Sequence, residues 1–128
     1  MTQPQKPERT TGIKHVFAAA SYSLGGIKCL WKEAAFRQEV LLYLLVIAGF
    51  FLIGATIEEY LIATALALLL VAVEALNTAI EAVVDHVSPD WSEFARDAKD
   101  LGSLAVMCLL IANGLFLAYV LWQHLILA

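Results

Sequence analysis

The pattern of apolar and polar positions divides the chain into a polar start and four segments predicted to be helical. Residues 1–11 are mostly polar and hold two of the three prolines, which predicts a disordered cytoplasmic tail. Over residues 12–32, apolar side chains recur at helical spacing, with lysines on the opposite face. This pattern predicts an amphipathic helix that lies on the membrane surface. The Gly25-Gly26 pair is expected to divide it in two.

Three later stretches are apolar and long enough to cross a bilayer. They predict transmembrane helices over about residues 36–57, 60–85 and 98–125. A hydrocarbon core of about 30 Å needs about 20 helical residues, and a helix satisfies its own backbone there. The sequence therefore predicts an all-α integral membrane protein with a single domain over residues 12–128.

The distribution of charge predicts the orientation of these helices. All eight lysines and arginines lie before or at the very start of the first predicted span, or between the second span and the start of the third. The link between the first two spans carries only Glu58 and Glu59. Because positive residues concentrate on the cytoplasmic side, the N-terminus is predicted to be cytoplasmic and the C-terminus external. A composition of 61% hydrophobic and 16% charged residues agrees with the membrane class. The two cysteines lack metal-ligand spacing, so neither a disulfide nor a metal site is expected from them.

Carboxylates occur at the end of the second predicted span, in the stretch "VEALNTAIEAVVD". On a helix, Glu74, Asn77, Glu81 and Asp85 share one stripe, and Glu74 lies ~16 Å along the axis from Asp85. If Asp85 marks the cytoplasmic surface, Glu74 is inside the inner leaflet. A carboxyl group at that depth is costly and therefore a functional candidate. The alternative is that the stripe hydrogen-bonds between helices and holds an oligomer together.

Two further polar clusters are predicted on the same side, namely "EAAFRQE" at residues 33–39 and "ARDAKDLGS" at residues 95–103. Taken alone, Glu33 and Arg37 form an ordinary i, i+4 pair and the second cluster is a solvated loop. Together with the stripe, they supply carboxylates, an amide and a lysine at one level, which suits Mg²⁺ and phosphate groups. The sequence has no P-loop or protein-kinase signature, so a nucleotide would bind without a standard fold.

The motifs "EAAFRQE", "EALNTAIEAVVD" and "AKDLGS", in this order and spacing, resemble the prokaryotic diacylglycerol kinases from Thr10 to about His124. The resemblance implies a homotrimer in the bacterial inner membrane, with a periplasmic C-terminus and composite active sites between subunits at the cytosolic boundary. It implies transfer of the γ-phosphate of MgATP to diacylglycerol, giving phosphatidic acid. The implied partners are ATP, diacylglycerol with membrane lipid, and further copies of the chain; no nucleic acid is expected.

The resemblance also implies a role for individual residues. Glu74 matches the catalytic base, with the Asn77 amide beside it, and Glu33 and Glu81 match the carboxylates that hold Mg²⁺. Contacts with the nucleotide are implied for Lys99, Asp100, Tyr22, Lys14 and His15. Contacts with the lipid substrate are implied for Gln38, Glu39, Trp31 and Ala35. The sequence departs from many members at Ser92, where they carry histidine, and at Trp91, where tyrosine is common.

Three alternatives stay open from the sequence. Undecaprenol kinases share the scaffold and the Glu/Asn/Glu stripe, although "AKDLGS" is more similar to the diacylglycerol branch. A small multidrug-type transporter would explain one intramembrane glutamate but neither cytoplasmic cluster. A non-catalytic helical subunit would keep the lipid phosphorylation of its complex unchanged when Glu74 is replaced.

Overall fold

The computed structural model describes residues 2–128; Met1, which belongs to the predicted tail, lies outside the described residues. The described chain contains four α-helices and no strand, as the sequence predicts. Residues 2–11 form neither helix nor strand. The elements, in chain order, are α1 (Ile13–Leu30), α2 (Ala34–Ile53), α3 (Ile57–Val87) and α4 (Glu93–Leu121), which a π-helical turn (Trp122–Ile126) extends. The α1 helix continues through Gly25 and Gly26, so the expected division of this segment is wrong.

Three helices are long and apolar enough to cross a membrane: α2, α3, and α4 with its π-helical turn. This confirms the three spans predicted from hydropathy. The α3 helix has 31 residues, which correspond to a length of about 46 Å. Since a hydrocarbon core is only about 30 Å thick, part of α3 must extend beyond it. The polar residues at the ends of this helix can therefore reach the headgroup region while its middle stays in lipid.

Local sequence signals fix the helix boundaries. The positive φ of 72° at Gly54 ends α2 in a left-handed conformation, which glycine adopts at little cost. A capping box opens α3: Glu59 N–H donates to Thr56 Oγ1 at 3.3 Å, and Thr56 N–H donates to Glu59 Oε2 at 2.8 Å. Ser92 caps α4 by accepting a hydrogen bond from Ala95 N–H at 3.1 Å.

The α3 and α4 helices pack against each other as an antiparallel pair. Three contacts define their register: residue 59 meets residue 124, residue 66 meets residue 113, and residue 85 meets residue 99. Midway, Asn113 Nδ2 donates to Leu66 O at 3.2 Å and to Leu109 O at 2.8 Å, so its amide is satisfied inside the membrane. The end at which α2 and α4 begin and α3 finishes is called the site end, and the opposite end the far end.

The buried core is small and lies towards the far end. Phe50, Ala63 and Val120 are its buried members, and Phe50 meets Tyr60 edge to face with ring centroids 5.5 Å apart. Most large apolar side chains face outward instead; Leu52, for example, is 84% exposed. Outward-facing apolar surface of this extent is what lipid or further protein subunits cover.

An ionisable pair closes the far end. His124 Nε2 lies 2.8 Å from Glu59 Oε2, with the two side chains only 20% and 13% exposed. The π-helical turn places His124 beside the capping box, so the contact joins the start of α3 to the end of α4. The sequence analysis did not identify this pair, because it links residues 65 positions apart.

Replacing His124 with alanine is expected to destabilise the protein by about 1.5–3 kcal/mol, the usual range for a hydrogen bond to a charged group. The measurement is unfolding in detergent, with Glu58→Ala as the matched control, since Glu58 is an exposed carboxylate one residue away. Equal stability losses in the two variants would contradict the pairing.

Candidate active site

Glu74 is the one charged side chain among the buried residues of the described chain, with 9% exposure. It lies on α3 and meets the Glu39 carboxyl group of α2 within hydrogen-bonding distance. No N–H or O–H donor of the described residues reaches Glu39 Oε2. The α2–α3 contact therefore places two acids side by side at the edge of the apolar region.

One turn along α3, the Asn77 amide fixes a second carboxylate. Asn77 Nδ2 donates to Glu81 Oε1 at 3.2 Å. The other end of the amide, Asn77 Oδ1, is buried and receives no hydrogen bond from the described residues. Asn77 therefore lies between the Glu39–Glu74 pair and the Glu81 carboxylate.

Lys99 connects the start of α4 to the end of α3. Its ammonium group forms an ion pair with Asp85 and is also attracted electrostatically by the Glu81 carboxylate. The Lys99 and Asp85 side chains are 42% and 64% exposed, so the pair is solvated and contributes little to stability. A solvated ion pair of this kind can exchange its carboxylate for a phosphate oxygen at small cost.

A polar cleft of about 300 Å³ lies at the site end, beside Lys99. It is formed by the end of α3, the short connection after it and the first turns of α4. The side chains that bring charge or an aromatic ring to it are Asp85, Asp90, Trp91, Arg96, Lys99 and Asp100. Within it, Arg96 is held by Asp97, its neighbour in the chain, at 2.9 Å.

Two apolar hollows of about 240 and 230 Å³ begin at Glu39 and extend towards the far end. Both are bordered by Glu39, Tyr43, Ala67 and Leu70 and are otherwise lined almost entirely by apolar side chains. The Tyr43 hydroxyl is hydrogen-bonded to Thr64 Oγ1 at 2.8 Å, so it is already satisfied inside the bundle. Each hollow thus offers a carboxyl group at its mouth and hydrocarbon below it.

The remaining predicted site residues lie apart from this group. Glu33 is exposed at the N-cap of α2, and Arg37 donates to the Trp31 carbonyl at 2.6 Å instead of pairing with Glu33. Trp31 packs edge-on against Phe36 with centroids 6.0 Å apart. Exposed positions are also found for Lys14, His15, Tyr22, Ala35 and Gln38. Asp100 is exposed as well, but it lines the polar cleft beside Lys99.

The described residues contain no group of three or more metal-ligating side chains. Mg²⁺ does not need such a group, because it binds through one or two carboxylates together with phosphate oxygens and water. Glu81, with one oxygen engaged, and the exposed Glu33 are donors of this kind. The chemistry of these donors therefore fits a magnesium ion that arrives with phosphate groups.

Sequence reasoning missed the contact between Glu39 and Glu74. It assigned the two residues separately, to the lipid and to catalysis, because helix crossing cannot be read from spacing within one helix. The available signal was the position of Glu39, an acid followed directly by an uncharged span of 18 residues.

Comparison with known proteins identifies relatives over nearly the whole chain. The sequence profile of the family described as "Prokaryotic diacylglycerol kinase" matches residues 21–121. A diacylglycerol kinase from Sinorhizobium sp. is 54% identical over 113 residues, which cover 88% of this chain and 82% of the relative. The diacylglycerol kinase of Escherichia coli K12 is 41% identical over 90% of this chain and 95% of the relative. That of Helicobacter pylori is 33% identical over 100% of this chain and 97% of the relative.

Replacing Glu39 with alanine is expected to lower the free energy of unfolding by about 1–3 kcal/mol, because the buried Glu74 carboxyl loses its polar partner. Glu39→Gln should retain most of the stability, since an amide still hydrogen-bonds to Glu74. The measurement is thermal unfolding in detergent, with the exposed neighbour Gln38→Ala as control. The contact is refuted if Glu39→Ala is as stable as Gln38→Ala.

Proposed function

This chain belongs to the prokaryotic diacylglycerol kinase family, and from that membership we propose that it transfers the γ-phosphate of MgATP to diacylglycerol, giving phosphatidic acid. It is thus a kinase and a bacterial membrane protein. The observation that carries the proposal is the buried Glu74 carboxyl group, which lies beside Glu39 at the point where the apolar hollows begin. A diacylglycerol hydroxyl occupies the same boundary, with hydrocarbon on one side and the headgroup region on the other.

Glu74 acts as the base that accepts the proton of the lipid hydroxyl. A base must come within about 2.6–3.2 Å of the group it deprotonates, and the depth of Glu74 in α3 suits a hydroxyl just below the headgroups. Glu39 orients the Glu74 carboxyl and holds the lipid, together with Gln38, Trp31 and Ala35 near the start of α2. The two hollows that begin at Glu39 receive the acyl chains.

The phosphate end of the site lies above this base. Phosphoryl transfer depends mainly on positioning and on neutralising charge. Glu33 and Glu81 hold Mg²⁺, which when bound neutralises charge on the ATP phosphates. Lys99 exchanges Asp85 for a phosphate oxygen, and Asp100 borders the nucleotide in the polar cleft. Lys14, His15 and Tyr22 complete the nucleotide side from α1, which acts as a lid on the membrane surface.

The active form is a homotrimer whose sites lie between neighbouring subunits. Three membrane helices are too thin to enclose both a nucleotide and a lipid, and most large apolar side chains of the single chain face outward. The N-terminus is cytoplasmic and the C-terminus periplasmic, in the inner membrane. This orientation puts the cleft on the side that holds ATP, in agreement with the lysines and arginines of the site end.

Purified protein is expected to transfer labelled γ-phosphate from ATP to diacylglycerol in mixed micelles in the presence of Mg²⁺. Glu74→Gln should lower turnover by about 100-fold or more, since general base catalysis contributes about 10²–10⁴-fold. Glu58→Gln, an exposed carboxylate at the far end, is the matched control and should keep the wild-type rate.

Undecaprenol is assayed in parallel as the second lipid acceptor. Faster phosphorylation of undecaprenol would replace diacylglycerol as the substrate. An active Glu74→Gln variant would refute the role of Glu74 as base. Loss of assembly in that variant, seen by light scattering, would instead assign Glu74 to holding the helices together.

Mixing two inactive variants tests the composite site. Glu33→Gln and Glu74→Gln subunits are each expected to be inactive as pure trimers, yet to recover activity when co-assembled. Some interfaces of the mixed trimers then combine an intact Glu33 from one subunit with an intact Glu74 from its neighbour. Light scattering should give the mass of three chains in each case. Mixed trimers that stay inactive, or a mass other than that of a trimer, would contradict the arrangement.

A further inference from the structure

Gly102 is a buried glycine inside a long helix, and its backbone does not require glycine. It lies in the second half of the third turn of α4, and positive φ values occur only at Gly12 and Gly54 in the described chain. Glycine destabilises a helix interior relative to alanine. A buried glycine at such a position is therefore explained by a neighbouring group that leaves no room for a side chain.

That space is occupied by the Asn77 amide. A Cβ atom at position 102 would overlap Asn77 Oδ1 and lie 3.1 Å from Asn77 Cγ. The other glycines inside helices, Gly25, Gly26, Gly49 and Gly114, have no such neighbour within 4 Å. Gly102 is thus the position at which α4 makes room for a polar side chain of α3.

The fit fixes the direction of the amide. Asn77 Oδ1 is buried against α4 and accepts no hydrogen bond from the described residues, while Asn77 Nδ2 donates to Glu81 Oε1 at 3.2 Å. An added methyl group at position 102 would push Oδ1 away from α4. Because the amide is planar, Nδ2 would then move off Glu81, and the carboxylate would lose the contact that orients it.

We propose that Gly102 is a positioning residue that acts through Asn77 on Glu81. Its missing side chain seats the amide, and the amide sets the direction of the carboxylate at the phosphate end. This inference rests on the proposed function, in which Glu81 binds Mg²⁺ with ATP. Groups that orient a metal ligand in this way typically change metal affinity or activity by about 10–100-fold when replaced.

The kinetic test compares full-length wild type, Gly102→Ala and Gly49→Ala, the last being a glycine-to-alanine change inside α2 with open space around it. In Gly102→Ala, the Mg²⁺ concentration that gives half-maximal diacylglycerol phosphorylation should rise about 10-fold or more. The KM for diacylglycerol should change by less than about twofold, because the lipid end is untouched. Gly49→Ala should stay within about twofold of wild type in both values.

A double-variant cycle identifies the route of the effect. Asn77→Ala removes the clashing amide, so adding Gly102→Ala to it should change the Mg²⁺ requirement by less than about twofold. If the fold-changes in Mg²⁺ requirement caused by the two replacements multiply in the double variant, Gly102 acts independently of Asn77, which would overturn the proposal. If Gly102→Ala fails to assemble, the steric explanation requires that Asn77→Ala restore assembly; a double variant that stays unassembled also overturns it.

A readout without turnover separates this inference from the proposed function. The Asn77 side-chain amide resonance, identified by its loss in Asn77→Ala, should shift in Glu81→Gln and in Gly102→Ala but not in Gly49→Ala. An unshifted resonance in Gly102→Ala overturns the inference. If wild type phosphorylates no diacylglycerol while the resonance shifts as expected, only the proposed function fails. If wild type is active and Gly102→Ala has the same Mg²⁺ requirement, only the inference about Gly102 fails.

Discussion

A carboxyl group in a membrane-spanning helix needs a polar partner, and Glu74 has one in Glu39 of the neighbouring helix. This contact joins α2 to α3 where the apolar hollows give way to polar side chains. Below it lie the two apolar hollows that begin at Glu39, and above it lie Asn77 and Glu81. The division of the bundle into an apolar half and a polar half therefore depends on where this one pair of acids is placed.

The register of α3 against α4 is the second requirement. It is held at both ends by contacts between ionisable groups, Glu59 with His124 and Asp85 with Lys99, and in the middle by the Asn113 amide. A slip of one residue along either helix would move position 102 away from Asn77. The far end thus contributes to the site without touching it, because it helps to keep the glycine opposite the amide.

The sequence was informative wherever one helix determines the answer. Hydropathy gave the three spans, and helical spacing put Glu74, Asn77 and Glu81 on one stripe. Contacts between helices were not accessible in this way, because they depend on crossing geometry; this explains why the Glu39–Glu74 and Glu59–His124 pairs were missed. A one-helix signal was also overlooked: Thr56 followed three residues later by Glu59 is a capping box, so α3 starts at Ile57 rather than near residue 60.

The central claim is that Glu74 receives the proton of a lipid hydroxyl. It is tested most directly by an experimental structure of the protein in lipid with diacylglycerol and a non-hydrolysable MgATP analogue. The predicted result is a diacylglycerol hydroxyl within about 3 Å of a Glu74 carboxyl oxygen, on the side that faces the terminal phosphate. A diacylglycerol hydroxyl held elsewhere, with Glu74 contacting only protein groups, would contradict this account.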